Sequence, residues 1–257
     1  MKSLEECIVE IMEGTYNEIF PYLPYILQDF WEMGSSPHDM ISLIEKHSKD
    51  YSSLKVLDLG CGKGAVSIKI AEKLNCECWG FDGMEEFIDD ANKKAVEYGV
   101  KSLCHFEKAD IREKIKELPP FDVIILGAIG PVFGNYYETL TNLKKKLKKG
   151  GLILIADAYI EDSSVYSHPV VLKKKELLNQ VSLAGMVLID ELIPEETEEI
   201  NAGYKREFNF IELRCNELIN EHPMKKYLFE SYIQRQIEEY DTLETKMICL
   251  TMAFKEQ

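Results

Sequence analysis

The chain has no apolar stretch approaching the ~20 residues that a membrane-spanning helix requires, so no transmembrane segment and no membrane partner are expected. Its start, Met-Lys-Ser-Leu-Glu-Glu, turns acidic early and lacks the apolar core of a signal peptide. Cysteines do not form an even framework: there are seven, scattered along the chain. Cys76 and Cys78 alternate on a strand, but no second pair at finger-like spacing accompanies them. No metal site is therefore expected, and reduced thiols point to a cytoplasmic location. Positive charge is short as well. The 30 Lys and Arg against 45 Asp and Glu leave a formal net charge of −15. A nucleic acid must be met by a basic surface, and the lysine runs (Lys144 to Lys149, Lys173 to Lys175) sit on helical faces or ends. DNA is not an expected partner. Repeats and low-complexity tracts are absent too. With 257 residues, 46% of them hydrophobic, the chain is one large domain or one domain with an elaboration around a sizeable core.

What is present concentrates in residues 54–67, Leu-Lys-Val-Leu-Asp-Leu-Gly-Cys-Gly-Lys-Gly-Ala-Val-Ser. A short apolar run (Val56, Leu57, Leu59) ends in Gly60-x-Gly62-x-Gly64, and a helical pattern follows at once. Glycines let the backbone approach a ligand, and the helix start offers free N–H groups, so the segment is a nucleotide-binding turn. Gly60, Gly62 and Ala65 satisfy the relaxed dinucleotide fingerprint. Asp58 speaks differently. A carboxylate beside the turn repels a pyrophosphate and suits a ligand carrying an ammonium group.

Asp58-x-Gly60-x-Gly62-x-Gly64 resembles the first motif of the class I S-adenosylmethionine (SAM) methyltransferases. Roughly 20 residues on, the strand Cys76 to Phe81 ends in Asp82, where a carboxylate can accept from both ribose hydroxyls. Phe106-Glu107-Lys108-Ala109-Asp110-Ile111 is similar to the family's adenine motif. Phe121 to Gly127 resembles its fourth strand, and Lys148-Lys149-Gly150-Gly151 the turn into its fifth. That last step also reads as a helix with apolar positions Leu140, Leu143 and Leu147, ended by lysines and a left-handed glycine. Asp82 and Asp110 would equally serve as plain helix caps.

The resemblance spans residues 54–157 and implies SAM as cofactor. It implies that Asp58 and the backbone of Gly60, Cys61 and Gly62 hold the amino-acid tail. Asp82 with Gly83 would take the ribose, while Met84, Ala109, Asp110 and Ile111 would bracket the adenine. Gly127 would offer its carbonyl to the ammonium group, and Ile129 would line the way to the methyl group. The exit of the fourth strand, Gly127-Ala128-Ile129-Gly130-Pro131, is not the Asn/Asp-Pro-Pro-Tyr of enzymes acting on base amines. It also lacks the carboxylate that a metal-assisted mechanism needs.

The expected fold is α/β: a Rossmann-like, seven-stranded, mostly parallel sheet with an antiparallel last strand and helices on both faces. In that reading residues 1–257 form a single methyltransferase domain. Residues 1–50 are a helical lid, with stripes at Leu4, Ile8, Ile11 and Met12 and at Met40, Leu43, Ile44 and His47. Residues 54–193 are the SAM-binding core. Its crossover helices carry Ile88, Ala91 and Ala95, then Leu177, Leu178 and Val181, the latter stopped at Gly185. Residues 195–243 are an inserted cap that opens on the acidic run Glu195 to Glu199. Two helices follow, Phe208 to Ile219 and Met224 to Tyr240, broken at His222-Pro223. The cap carries twelve acidic and six basic side chains, which fits a solvated face and would also attract a cationic acceptor. Val187 to Ile193 and Lys246 to Phe254 read as strands six and seven, with residues 244–257 closing the sheet.

Function then reads as SAM-dependent methyl transfer to a small molecule by in-line displacement, with the lid and cap building the acceptor pocket. Three alternatives stay open: an NAD(P)-dependent oxidoreductase, a methyltransferase acting on protein or tRNA, and a non-catalytic SAM-binding protein. No catalytic residue is fixed. Asp157, Tyr159, His168 and His38 are candidate bases for a hydroxyl acceptor, each with a plain structural role as the alternative. Tyr22, Tyr25 and Trp31, in the aromatic stretch Phe20 to Trp31, read either as core or as a lid over the acceptor. The acceptor atom and the oligomeric state are not legible.

Overall fold

The computed structural model describes residues 2–194 and 198–257. The acidic run Glu195 to Glu199 therefore falls largely outside the described residues. Contacts divide the chain into two compact units, residues 32–193 with 248–257, and residues 1–31 with 194–247.

The first unit is the sheet. After α3 (Pro37–His47; α1 and α2 belong to the other unit) come β1 (Lys55–Leu59), α4 (Ala65–Leu74), β2 (Glu77–Asp82) and α5 (Glu85–Glu97). Then follow β3 (Cys104–Lys108), α6 (Ile111–Glu117), β4 (Phe121–Gly127), α7 (Tyr136–Lys144) and β5 (Leu147–Tyr159). Last come α8 (Lys174–Leu183), β6 (Met186–Leu192) and β7 (Ile248–Glu256). The strand order is β3-β2-β1-β4-β5-β7-β6, with β7 antiparallel to both of its neighbours and the rest parallel, as the sequence implied. A parallel strand covered on both faces needs near-continuous apolar residues, and Val56, Leu57, Leu59, Val123, Ile124 and Ile125 are all fully buried. Helix stripes supply the cover: Phe87, Ile88, Ala91 and Ala95 on α5, Leu140 and Leu143 on α7. The strand order reverses between β1 and β4, so their carboxyl ends open the crevice where such sheets bind ligands.

Three local expectations change. The helix carrying Leu140 and Leu143 ends at Lys144, and Leu147 already pairs with Phe121 in β5. Gly150, with φ of +79°, sits where that pairing shifts register, not at a helix end. Backbone pairing with β4 competes with the last helical turn here and wins. Leu178 is 37% exposed, so the face of α8 is Leu177 and Val181, stopped as expected at Gly185 with φ of +69°. Lys246 ends a helix, and the last strand begins at Ile248.

The second unit is helical: α1 (Leu4–Ile11), α2 (Leu23–Ile26), α9 (Glu198–Glu221) and α10 (Lys226–Lys246), with a 3-10 turn at Asn17–Tyr22. The break at His222-Pro223 is present, as a 3-10 turn over Pro223–Lys225. Tyr22 packs edge-on against Phe229 at 5.1 Å between ring centres, and Tyr25 donates to Glu217 at 2.8 Å. Both tyrosines thus serve the packing of this unit. Arg214 bridges Asp29 and Glu217. Among the described residues, no helix is long and apolar enough to cross a membrane.

Candidate active site at the carboxyl ends of the first, second and fourth strands

The turn after β1 is built by backbone bonds. The N–H groups of Gly60 and Cys61 both donate to the Phe81 carbonyl, at 2.8 and 3.1 Å, which ties the turn to the end of β2. Gly60 has φ of +76°, and a Cβ there would lie 2.5 Å from Ile129 Cγ2. Gly64 has the same φ and meets Phe106 and Ala91. Only glycine fits both the left-handed backbone and the tight approach at these places. Cys61 is buried, and burial pushes its thiol well above the ordinary range. This disfavours the thiolate a nucleophile needs.

Two carboxylates flank the turn. Asp58 is only 2% exposed and accepts from Ser67 Oγ at 2.7 Å. Its carboxyl is pushed up to about 6, chiefly by burial, with the nearby Asp82 adding to the rise. Asp82, at the end of β2, accepts from Gly62 N–H and Met84 N–H, each at 2.9 Å. Burial raises its carboxyl too, against the backbone donors of Met84, Gly62 and Gly83. Its backbone carbonyl accepts from Ala109 N–H at 2.8 Å. Asp82 is thus the knot joining the turn, the start of α5 and the end of β3. Lys63, within the turn, faces α5: its Nζ lies 3.9 Å from Asp90 and 5.4 Å from the centre of the Phe87 ring.

Asp110 caps α6 through Arg112 N–H at 3.0 Å and is gripped by the Arg112 guanidinium, at 2.6 Å to Nη2. Arg112 holds the Asp110 carboxyl below the usual range. Ile111 is buried behind it, and Met84 is buried at the start of α5. Gly127 ends β4, and a Cβ on it would lie 2.7 Å from Ser35 Oγ. The fold thus gathers Asp58, Gly60, Cys61, Gly62, Asp82, Gly83 and Met84 at the β1 and β2 ends, with Gly127 and Ile129 at the β4 exit. Ala109, Asp110 and Ile111 sit at the β3 exit.

The candidate bases separate. His38 is exposed at the start of α3, 3.2 Å from Asp39. His168 Nδ1 accepts from Val170 and Val171 N–H, which makes it a turn residue. Tyr159 is buried, with Lys174 donating to its hydroxyl at 3.2 Å. Asp157 lines an open pocket. Sequence reasoning missed Ser67, the partner of Asp58, whose hydroxyl one turn into α4 was the available signal. It also missed Met33-Gly34-Ser35. A Cβ on Gly62 would lie 2.9 Å from Met33 Cε, and one on Gly34 2.8 Å from Ala128 Cβ, so this segment lies along the turn and the β4 exit. No local pattern announces that approach.

A parallel sheet that reverses beside a glycine turn, with carboxylates in place of phosphate-binding groups, defines a nucleoside-binding α/β protein of methyltransferase type. The chain belongs to the methyltransferase-domain family, whose model matches residues 50–220. It is 30% identical, over 67% of its length, to a phosphoethanolamine N-methyltransferase of Arabidopsis thaliana, of which it covers 36%. It is 28% identical, over 46% of its length, to a ubiquinone biosynthesis O-methyltransferase of Rickettsia bellii, of which it covers 47%. The chain thus spans less than half the length of these curated relatives. The fold matches a SAM-dependent methyltransferase of Thiobacillus denitrificans solved with S-adenosylhomocysteine, at TM-score 0.72 and 17% identity, covering 92% of this chain and 98% of that one.

Proposed function

We propose that this chain transfers a methyl group from SAM to a small-molecule acceptor. The observation that carries the reading is the pair of carboxylates on either side of the glycine turn, Asp58 buried and Asp82 half-buried. A pyrophosphate placed there meets two negative groups in a poorly screened site, whereas an ammonium and a sulfonium are both favoured. The acceptor set fits such a ligand, with one carboxylate for an ammonium group and one for ribose hydroxyls, on a turn whose glycines at 60 and 64 let it pack on Ile129, Phe106 and Ala91. Bound there, SAM supplies a methyl group activated by its positively charged sulfur. Asp58 and the turn backbone would hold its amino-acid tail. Asp82 would accept from the ribose hydroxyls, while Met84, Ala109 and Ile111 would pack about the adenine. The Gly127 carbonyl would meet the ammonium group, with Ile129 beside the path to the acceptor. Asp110 is saturated by Arg112, so it would reach the adenine amino group only after that guanidinium turns away.

A small-molecule acceptor agrees with the relatives, named for phosphoethanolamine and for ubiquinone biosynthesis. A net charge of −15 adds an argument against nucleic acid. An odd number of scattered cysteines, seven, accords with reduced thiols in a cytoplasm. Thermal-shift titration with SAM, S-adenosylhomocysteine and NADH tests the cofactor: the first two should raise the melting temperature, and a rise with NADH alone refutes the reading. Release of S-adenosylhomocysteine against a metabolite pool separates an enzyme from a binder.

A further inference from the structure

Ile129 covers Gly60 on one side and lines a second hollow on the other, at the carboxyl ends of β4 and β5. Leu126, Ile155, Ala156 and Leu172 give this pocket an apolar wall. Asn135 and Thr139 also line it, engaged with Glu138 N–H and the Gly134 carbonyl at the start of α7, and a further polar pair stands against β5. Tyr136, the first residue of α7, donates its hydroxyl to Asp157 Oδ2 at 2.7 Å. Ala158 N–H donates to the other oxygen, also at 2.7 Å. Each carboxylate oxygen keeps a lone pair, and Tyr136 is the titratable group that faces Asp157, since every other lining residue is uncharged.

We propose that Asp157 is the base for methyl transfer to a hydroxyl acceptor seated in this pocket, with Tyr136 as its positioning residue. The inference rests on the SAM reading above. The acceptor hydroxyl lies against the Asp157 carboxylate and its oxygen lone pair forms the new carbon–oxygen bond. The electron pair of the breaking carbon–sulfur bond stays on sulfur, which becomes a neutral thioether. The hydroxyl proton passes to Asp157 and from there to solvent. An apolar wall admits a neutral body. A hydroxyl is a weak nucleophile that gains most from losing its proton, whereas a neutral amine attacks without that help. Burial raises the Asp157 carboxyl above the usual range, which brings it nearer the working pH of a base.

The test uses p-cresol and its methyl ether as probes, titrated by calorimetry into the full chain saturated with S-adenosylhomocysteine. The wild-type protein should bind p-cresol about tenfold more tightly than the ether, since only the phenol donates a hydrogen bond to a charged acceptor. Asp157→Asn should lose that preference while keeping its affinity for S-adenosylhomocysteine. Tyr136→Phe should keep the preference but move its pH midpoint upward, because the tyrosine hydroxyl stabilises the ionised carboxylate. A purely structural contact would not move that midpoint. If Asp157→Asn fails to fold, the Tyr136→Phe midpoint decides alone. Equal binding of phenol and ether by the wild type, an undiminished preference in Asp157→Asn or an unmoved midpoint in Tyr136→Phe overturns the assignment. Failure of the wild type to bind S-adenosylhomocysteine overturns instead the cofactor reading.

Discussion

Replacing Asp82 perturbs two things at once, and the structure separates them. Its carboxylate oxygens accept from Gly62 N–H and Met84 N–H at 2.9 Å each, in a half-buried site. Asp82→Ala leaves both donors without that partner, at about 1–3 kcal/mol each, partly offset because a buried charge is also removed. The expected net loss of stability is about 2–3 kcal/mol. The ligand loses the acceptor for its ribose hydroxyls, worth a further ~1–3 kcal/mol, or roughly fivefold to 150-fold in Kd. Calorimetry with S-adenosylhomocysteine and with its 2′,3′-dideoxy analogue divides the effects. The dideoxy ligand reports only the loosened turn, so the difference between the two ligands isolates the ribose contact. In the wild type the natural ligand should bind more tightly by the ribose share, and in Asp82→Ala the two should converge. A difference that survives unchanged in folded Asp82→Ala refutes Asp82 as the ribose ligand.

Asp58 predicts a pH dependence. Its carboxyl is raised from 3.8 to about 6, so the folded protein holds the proton more tightly than the unfolded chain. The protonated group favours folding fully below pH 3.8, and this contribution is lost as pH rises through about 6, amounting to about 3 kcal/mol at most. Urea unfolding across that window should show a steeper decline in the wild type than in Asp58→Asn, which keeps only the share of the other raised carboxyls, Asp82 and Asp157. Conversely, affinity for S-adenosylhomocysteine should rise through the same window as the carboxylate forms, and calorimetry on Asp58→Asn should show a smaller rise, that of Asp82 alone. Gly60→Ala places a Cβ 2.5 Å from Ile129 Cγ2 at a φ of +76°. It should cost about 2–5 kcal/mol, the sum of left-handed strain and overpacking, and chemical denaturation of the double variant with Ile129→Ala should recover the packing share alone. Full recovery would place the whole penalty in the Ile129 contact.

Most of the cofactor side was legible because its signals are local in sequence. Asp58, Gly60, Gly62 and Gly64 lie within seven residues, and Asp82 ends the next strand. Steric rules fix a strand–glycine–helix turn wherever it stands, and parallel topology then places the ends of β1 and β2 side by side. Asp110 was read from the resemblance as an adenine ligand, with a helix cap as the alternative; it does cap α6, and its saturation by Arg112 depends on a rotamer that no local pattern gives. Leu147 was misplaced because its helical spacing and its strand pairing with Phe121 are both acceptable locally, and only the neighbouring strand decides.

By itself, then, the sequence determined the alternation of strand and helix, the glycine turn and the two flanking carboxylates, because periodicity, glycine sterics and short βα links act over a few residues. Tertiary structure alone decided three things. It buried Ser67 against Asp58, laid Met33-Gly34-Ser35 along the turn, and set Tyr136 on Asp157 across 21 residues. These contacts arise from how helices and loops pack on the strand ends. Packing is a property of the assembled core, to which each short segment contributes without encoding the outcome.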